Sequence, residues 1–538
     1  MKAYQGRGIN NGIAFGAAFI LKKAQHHIDD APAQNPDGEW ARFLAAKKEA
    51  DNQLEALMEK TQRELGQDEA MIIDVQRMML LDEDFDDAVR GIIYDGGHRA
   101  PYATNQAGTH FAAMFAAMDD DYMKARAVDV ADLAGRLTQI LLGVSTNLHL
   151  TAPSIIIAED LTPSETLQMD KSKIRAFVIQ QGSDTSHTAI LARIMNIACI
   201  IQCDIPLDEA FSGQEMAVDG AAGICYLVAD DATRANLLEK QKNDEANKQQ
   251  LLEMKGLPTI TADGRTVRLY SNIGSPDDIP YVLENDAEGI GLFRSEFLYL
   301  GRDSFPSEEE QFEAYQKVAQ AMGDKQVIIR TLDIGADKQA DYFKLDAEEN
   351  PALGLRGIRI CIERPDIFTT QLRAIYRASA FGNIAMMFPM IASVWEVQHC
   401  NQIAADVRSQ LVNEGHTIGK VEIGIMIETP SAVMMADELA KEVDFFSVGT
   451  NDLTQYALAI DRQNNKLDRF YNPHHPAVMR MLGAIATAAR NTGISAGICG
   501  EMAADTKVTK TLIDMGFDKL SVSPAYTLAL RKVIREIG

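Results

Sequence analysis

Gly289-Ile290-Gly291-Leu292-Phe293-Arg294-Ser295-Glu296-Phe297-Leu298 carries the pattern on which the fold turns. An apolar run, 289–293, ends abruptly in an arginine, a serine and a glutamate. Short runs without polar alternation read as strands buried on both faces. Seven more such runs stand at 267–272, 327–331, 384–390, 422–427, 445–448, 494–498 and 519–522. Most are separated by helix-length segments, so residues 257–538 predict alternating strands and helices closed into a (β/α)8 barrel. An open doubly wound sheet is the alternative. It is disfavoured because no Gly-x-Gly-x-x-Gly turn follows the first run.

Nearly every run ends in chemistry. The second gives Arg294-Ser295-Glu296, the third Arg330-Thr331-Leu332-Asp333, the fifth Glu428-Thr429-Pro430, the sixth Gly449-Thr450-Asn451-Asp452 and the seventh Cys499-Gly500-Glu501. A barrel gathers such residues at its C-terminal mouth. A single arginine at a strand end is most often a surface ion pair, but several cations, two carboxylates and a thiol at equivalent ends suit a small phosphorylated carboxylate. Arg294 and Arg330, with Arg356 as a third fork, can grip phosphate oxygens bidentately. Glu428 and Asp452 offer hard oxygen ligands for Mg2+. Cys499 can deliver a proton to an enolate carbon, and its other reading is a small buried core residue.

The first half is organised differently. Residues 12–21 are glycine-punctuated and strand-like, and from about residue 40 to 142 helical periodicity takes over, with Leu54, Leu57, Met58 and Leu65 on one face. Short apolar runs return at 154–158, 176–179, 198–202, 215–219 and 223–228, predicting a small α/β domain that the opening strand joins. Residues 230–255 read as one connecting helix ending at Gly256-Leu257-Pro258. The expected domains are 1–25 with 145–230, a helical subdomain at 26–144, a linker helix at 231–256 and the barrel at 257–538. Within the α/β part, Thr185-Ser186-His187-Thr188-Ala189-Ile190-Leu191-Ala192-Arg193 follows the polar loop 181–184 and places His187 at a helix start. Unpaired N–H groups there favour a phosphoryl group and keep the imidazole neutral and nucleophilic. A lone histidine after a polar loop is more often structural.

Bulk properties narrow the classes. The chain has 538 residues, 46% hydrophobic and 24% charged, which suits a globular protein of two to four domains. Its net charge of −25 argues against nucleic acid or an anionic membrane surface as partner. No run approaches eighteen apolar residues, and the first residues lack a signal-peptide core. The six cysteines are scattered, the closest pair being Cys199 and Cys203, and the expected location is the reducing cytoplasm.

Gly182-Ser183-Asp184-Thr185-Ser186-His187 resembles the phosphohistidine signature of the phosphoenolpyruvate-utilising enzymes, with Ser183 where a second glycine usually stands. The barrel strings 289–298, 330–335, 427–430, 449–456 and 499–501, together with 160–166, resemble in order the motifs of the enzyme I family of the bacterial sugar phosphotransferase system. That resemblance spans essentially the whole chain. It implies an α/β phosphohistidine swivel domain with an inserted helical bundle, followed by the TIM barrel. His187 would be phosphorylated through Nε2, and Arg294, Arg330, Arg356, Asn451, Asp452 and Arg462 would bind phosphoenolpyruvate. Glu428 and Asp452 would hold Mg2+, and Cys499 would protonate the enolate to give pyruvate. The helical block would dock the phosphocarrier protein HPr, with 82–87 as an acidic steering stretch, and barrels would pair into a homodimer. A solvated helix face is the commoner meaning of such an acidic run. Ala336 departs from a frequent glycine, and the sequence stops at Ile537-Gly538, where many family members carry a further helical extension.

The related dikinase and synthase need an ATP-grasp domain, for which the residues before His187 leave no room, and the nitrogen-branch paralogue adds a sensory domain. A non-catalytic regulatory paralogue is the remaining alternative. Its mark would be loss of His187, Cys499 or the carboxylates, and all are present.

Overall fold

In the computed structural model, residues 1–22, 28–64, 67–118, 121–144, 150, 152–182, 186–195, 197–300, 302–335, 341–346, 348–462 and 464–538 are described. Leu65, Ser183, Asp184, Thr185 and Ala336 lie outside them. The chain forms two compact units, Met1–Ala246 and Asn247–Gly538.

The first unit is built on strands β1 (Lys2–Gln5), β2 (Arg7–Gly8), β3 (Ile13–Leu21), β4 (Ser154–Ala158), β5 (Ile174–Ile179), β6 (Ala198–Ile201), β7 (Glu215–Asp219) and β8 (Ile224–Leu227). They form one sheet in the order β1-β8-β7-β3-β4-β5-β6-β2. The opening strand does join this sheet: β3 runs parallel to β4 and antiparallel to β7. The helical block is therefore inserted between two neighbouring strands.

That block comprises α1 (Pro36–Glu64), α2 (Gln67–Leu80), α3 (Glu83–Tyr94), α4 (Ala100–Ala116) and α5 (Asp121–Leu142). Its core includes Phe43, Leu54, Leu57, Phe85, Val89, Ile93, Leu133 and Leu137. In α3 the buried residues Phe85, Val89 and Ile93 fall four apart, one stripe of a helix. The acidic run 82–87 has local work: Asp82 caps α3 by accepting from the Asp84 amide, and Asp86 pairs with Lys47 at 2.6 Å. Asp82, Glu83, Asp84 and Asp87 face solvent.

After β4 come α6 (Pro163–Gln168) and, between β5 and β6, α7 (His187–Ile194). The predicted connecting helix is α8 (Asp231–Leu252), of which Leu237 is the buried residue.

The second unit closes as expected. Strands β9 (Arg268–Ile273), β10 (Ile290–Arg294), β11 (Val327–Arg330), β12 (Ile384–Phe388), β13 (Glu422–Ile427), β14 (Phe445–Val448), β15 (Ser495–Ile498) and β16 (Lys519–Val522) form a closed barrel. All pair in parallel, and β16 returns to β9 with Leu520 opposite Leu269. Alternate residues serve two cores. Phe293, Ile329, Phe388, Ile427 and Ile498 face the helices, while Tyr270, Leu292, Ile328, Met387, Met426 and Phe445 fill the interior. Burial on both faces explains the uninterrupted apolar runs. Among the described residues no helix is long and apolar enough to cross a membrane.

The last helix, Thr527–Glu536, carries the fully buried Arg531. Its guanidinium donates to the Met254 carbonyl at 3.1 Å, the Thr259 hydroxyl at 3.1 Å, and both the carboxylate and the carbonyl of Asp286. Asp286 also accepts from the Gly256 amide at 2.7 Å. The segment just after α8 is thereby tied to the barrel wall.

At the opposite end from the strand-end polar residues, Lys519 is buried in the barrel floor. Its amine donates to Gln326 Oε1 at 3.1 Å and lies 5.0 Å and 5.2 Å from the ring centroids of Tyr270 and Phe445. Burial pulls its pKa from 10.5 to about 8. Between those values the unfolded chain holds the proton more firmly than the folded one, so stability rises as pH climbs from 8 toward 10.5. At pH 7 the charged amine costs folding on the order of 1–3 kcal/mol. Lys519→Met keeps the apolar stem and is expected to raise the urea midpoint at pH 7 and flatten its rise above pH 8. A lowered midpoint at both pH values would show that the amine stabilises the floor.

Candidate active site

Strand alternation delivers the first side chains of the site. Leu292, Ile328 and Met426 point into the barrel, so Arg294, Arg330 and Glu428, each two residues on, point inward at the C-terminal mouth. Cys499, one residue past β15 and one past the outward Ile498, joins the interior cluster.

Buried charges meet there. Arg330 Nη2 bonds Glu296 Oε1 at 2.6 Å, and its Nη1 reaches Asp333 Oδ2 at 2.8 Å. Asp333 also pairs with Arg356 Nη2 at 3.3 Å, and Arg356 Nη1 contacts the Tyr456 hydroxyl at 3.3 Å. Burial pulls the Arg330 guanidinium down, but Asp333, Glu296 and Glu428 outweigh it and hold the pKa above its ordinary value. The same opposition, led by burial and won by Asp333, raises Arg356. Arg294 is exposed at the end of β10 and has no ion pair among the described residues.

Glu428 accepts from the Met390 amide at 2.6 Å, an amide aimed by the left-handed backbone of Met390 at φ 56°. Its other oxygen is buried without a partner. Burial first, then the carboxylates of Asp333 and Asp452, push the Glu428 pKa up to about 8. Glycine is required at 449, because a Cβ there would stand 2.8 Å from that free oxygen. The helix Thr450–Leu458 puts Asn451 and Asp452 in its first turn. Asn451 Oδ1 accepts from the Glu501 amide at 3.1 Å, and Arg462 lies 3.7 Å from Asp452.

Cys499 is buried and its thiol contacts the Val448 carbonyl at 3.5 Å. Burial raises its pKa to about 11; a hydrogen bond with Ser447 opposes this, Glu428 adds to it, and Arg330 and Arg294 counter it. The thiol therefore stays protonated at neutral pH. Asn272 donates to the carbonyls of Cys499 at 3.0 Å and Ser521 at 3.3 Å, fixing the peptide that follows the thiol.

Unpartnered buried polar atoms gather at this mouth: Arg330 Nε, Arg356 Nε, Glu296 Oε2, Thr331 Oγ1, Glu428 Oε2 and Thr450 Oγ1. Such atoms are rare in a settled core and mark a place for a polar ligand. Among the described residues no cluster of three or more His, Cys, Asp or Glu side chains could hold a metal. The free Glu428 oxygen beside Asp452 nevertheless suits Mg2+, which takes one or two carboxylates and fills its shell with water and substrate oxygens.

In the other unit, His187 is the first residue of α7. Ser186 is the N-cap, accepting from the Ala189 amide. The structure brings Arg294, Arg330, Arg356, Asn451, Asp452, Arg462, Glu428 and Cys499 to one mouth. Sequence reasoning assigned no part to Glu296, Asp333, Tyr456 or Met390. Glu296 and Asp333 could have been found from their spacing of two and three residues from strand-end arginines; nothing in the sequence marks Met390.

Asp333→Asn would leave two buried guanidinium groups short of a counter-charge. It is expected to lower barrel stability by about 3–5 kcal/mol in urea unfolding. An unchanged midpoint would remove Asp333 as their tie.

Comparison with known proteins identifies the family. The family model of the PEP-utilising enzyme PEP-binding domain matches residues 248–538, that of the mobile domain 150–223 and that of the N-terminal domain 5–126. The phosphoenolpyruvate-protein phosphotransferase of Staphylococcus carnosus (strain TM300) is 39% identical over 544 residues, covering 100% of this chain and 94% of that one. The protein of the same name from Priestia megaterium is 39% identical over 540 residues, with 100% and 94% covered. That from Bacillus subtilis (strain 168) is 39% identical over 541 residues, with 100% and 95% covered. With three domain models matched in order and relatives aligned along its whole length, the chain belongs to the PEP-utilising enzymes and, among them, to the phosphoenolpyruvate-protein phosphotransferase family.

Proposed function

We propose that this chain transfers the phosphoryl group of phosphoenolpyruvate to its own His187 and then to a histidine of the phosphocarrier HPr. Pyruvate is released, and the exchange is the first step of phosphoenolpyruvate-dependent sugar uptake. The observation that carries this reading is the set of unpartnered buried donors and acceptors at the barrel mouth of a member of this family.

In this reading Arg294, Arg330, Arg356, Asn451, Asp452 and Arg462 bind phosphoenolpyruvate, with the guanidinium groups forking phosphate and carboxylate oxygens. Glu428 and Asp452 hold Mg2+, whose chemistry when bound is to neutralise charge on phosphate and enolate oxygens. Neutral His187 Nε2 attacks phosphorus, forming the N–P bond as the bridging P–O bond breaks. Cys499 passes its proton to the enolate carbon, and the thiolate recovers one from solvent. Its raised pKa supports this role because the acid form is the resident one.

The division of labour follows: residues 1–25 with 145–230 carry the histidine, 26–144 dock HPr, 231–256 link, and 257–538 bind substrate and pair two chains. A basic carrier suits the exposed carboxylates of 82–87, and the setting is the cytoplasm. One histidine serves two sites, so the reading includes a large rotation of its domain.

Labelled phosphoenolpyruvate with Mg2+ is expected to leave an acid-labile, base-stable label on the protein, absent from His187→Ala and transferable to HPr. Label persisting in His187→Ala would exclude that residue as the acceptor. Cys499→Ser is expected to cut kcat by about 10²–10⁴-fold with the KM for phosphoenolpyruvate little changed. Unchanged turnover would take Cys499 out of the scheme.

A further inference from the structure

Two thiols outside the barrel have no part in this chemistry. Cys203 Sγ and Cys225 Sγ are 3.8 Å apart, both buried in the core of the first unit. They are not neighbours in the ladder. Cys225 lies in β8 opposite Tyr4 of β1. Cys203 follows β6 and flanks the far side of β1, where the Asp204 amide donates to the Gln5 carbonyl at 3.1 Å. The sulfurs therefore meet across the chain at residues 5–6. Gly6 makes the crossing possible, since a Cβ there would come within 2.8 Å of Cys203 Cα and 2.7 Å of Ile200 Cγ2.

Simple alternation along β6 would send Cys203 elsewhere. Cys199 and Ile201 face one core cluster and Ile200 the other, so residue 203 should side with Cys199. Gln202 adopts φ 51°, a left-handed kink that resets the phase and turns Cys203 toward Cys225. Cys199 stays on the opposite face, its thiol raised to about 12 by burial.

The pair also adjoins the segment that leads to His187. The Cys203 amide donates to the Ile179 carbonyl at the end of β5 at 2.9 Å. Gln202 donates to the Gly182 carbonyl through Nε2 at 3.1 Å and to the Gln181 carbonyl through its amide at 3.4 Å. Closing the sulfurs from 3.8 Å to a disulfide length of about 2.05 Å would strain residues 202–203, which hold the carbonyls of Gln181 and Gly182.

We propose that Cys203 and Cys225 are an oxidisable dithiol whose closure to a disulfide restrains the entry to the His187 helix and slows phosphorylation of that histidine. The second clause rests on the phosphotransfer reading above; the first does not. A low-molecular-weight disulfide is the oxidant. Cys203, as thiolate, attacks one of its sulfurs and expels one thiolate. Cys225 loses its proton to that leaving group, attacks the Cys203 sulfur and expels the second thiolate, which takes up the proton that Cys203 gave to solvent. Two protein thiols are oxidised, and one external disulfide becomes two thiols. Their mutual contact holds the Cys203 pKa below its ordinary value and that of Cys225 above it, which fits the first as attacker. Entry of the oxidant is through local opening of β1, a four-residue strand with Lys2, Ala3 and Gln5 exposed.

The test uses the full-length chain. Reduced protein is incubated with glutathione disulfide, quenched in acid, denatured and alkylated, then mapped by peptide mass spectrometry. The expected product is a 203–225 cross-link with Cys199, Cys361, Cys400 and Cys499 alkylated. Six alkylated cysteines, or a cross-link through Cys199, would overturn the dithiol. Phosphorylation of His187 by phosphoenolpyruvate is expected to fall several-fold on oxidation and to recover with dithiothreitol. It should be insensitive to oxidant in Cys225→Ser and, independently, in Cys203→Ser. Equal rates in oxidised and reduced protein would overturn the coupling. No phosphorylation even when reduced would instead refute the phosphotransfer reading and leave the cross-link result standing.

Discussion

One carboxylate shared by two buried guanidinium groups holds the barrel mouth together. Asp333 stands between Arg330 and Arg356, and Glu296 takes the other side of Arg330. In a low-dielectric interior neither arginine could stay charged and in place without such a partner. The compensation is incomplete by design of the geometry: each guanidinium keeps its Nε free, and Glu428 keeps an oxygen free. Positive donors and a strained acid thus coexist in a confined space. In the proposed function, a ligand with an anionic face for the arginines, joined to a cation for Glu428, would satisfy both at once. Burial first, and then the neighbouring carboxylates of Asp333 and Asp452, raise the pKa of Glu428.

Much of this was legible beforehand, for a physical reason. A barrel strand is buried on both faces, so it appears as a continuous apolar run, and the run must end where its backbone reaches water. The first polar residues after it are the mouth. Arg294, Arg330 and Glu428 each follow an inward apolar residue by two, and alternation carries them into the same space. Family likeness added Arg462, whose position fourteen residues beyond the nearest apolar strand run could not be found that way.

What stayed hidden depends on single dihedral angles or on contacts between distant segments. Met390 aims an amide at Glu428 only because its φ is positive, and methionine gives no warning of that. Spacing drew Cys199 and Cys203 together, yet the kink at Gln202 separates them and hands Cys203 to Cys225. The run 82–87 looked like one steering patch, but Asp82 is a helix cap and Asp86 an ion-pair partner. Composition reports charge without reporting what each charge is already doing.

The knot around Arg531 has a mechanical corollary. Its guanidinium is saturated by Met254, Thr259 and Asp286, so the backbone beyond residue 254 is socketed in the barrel wall. The helix before it, α8, is largely exposed, and its polar side chains pair with Glu215, Asp219 and Lys532. The closing helix of the barrel, through one side chain, thus anchors the backbone at the entrance to its own unit, away from the loops that line the mouth.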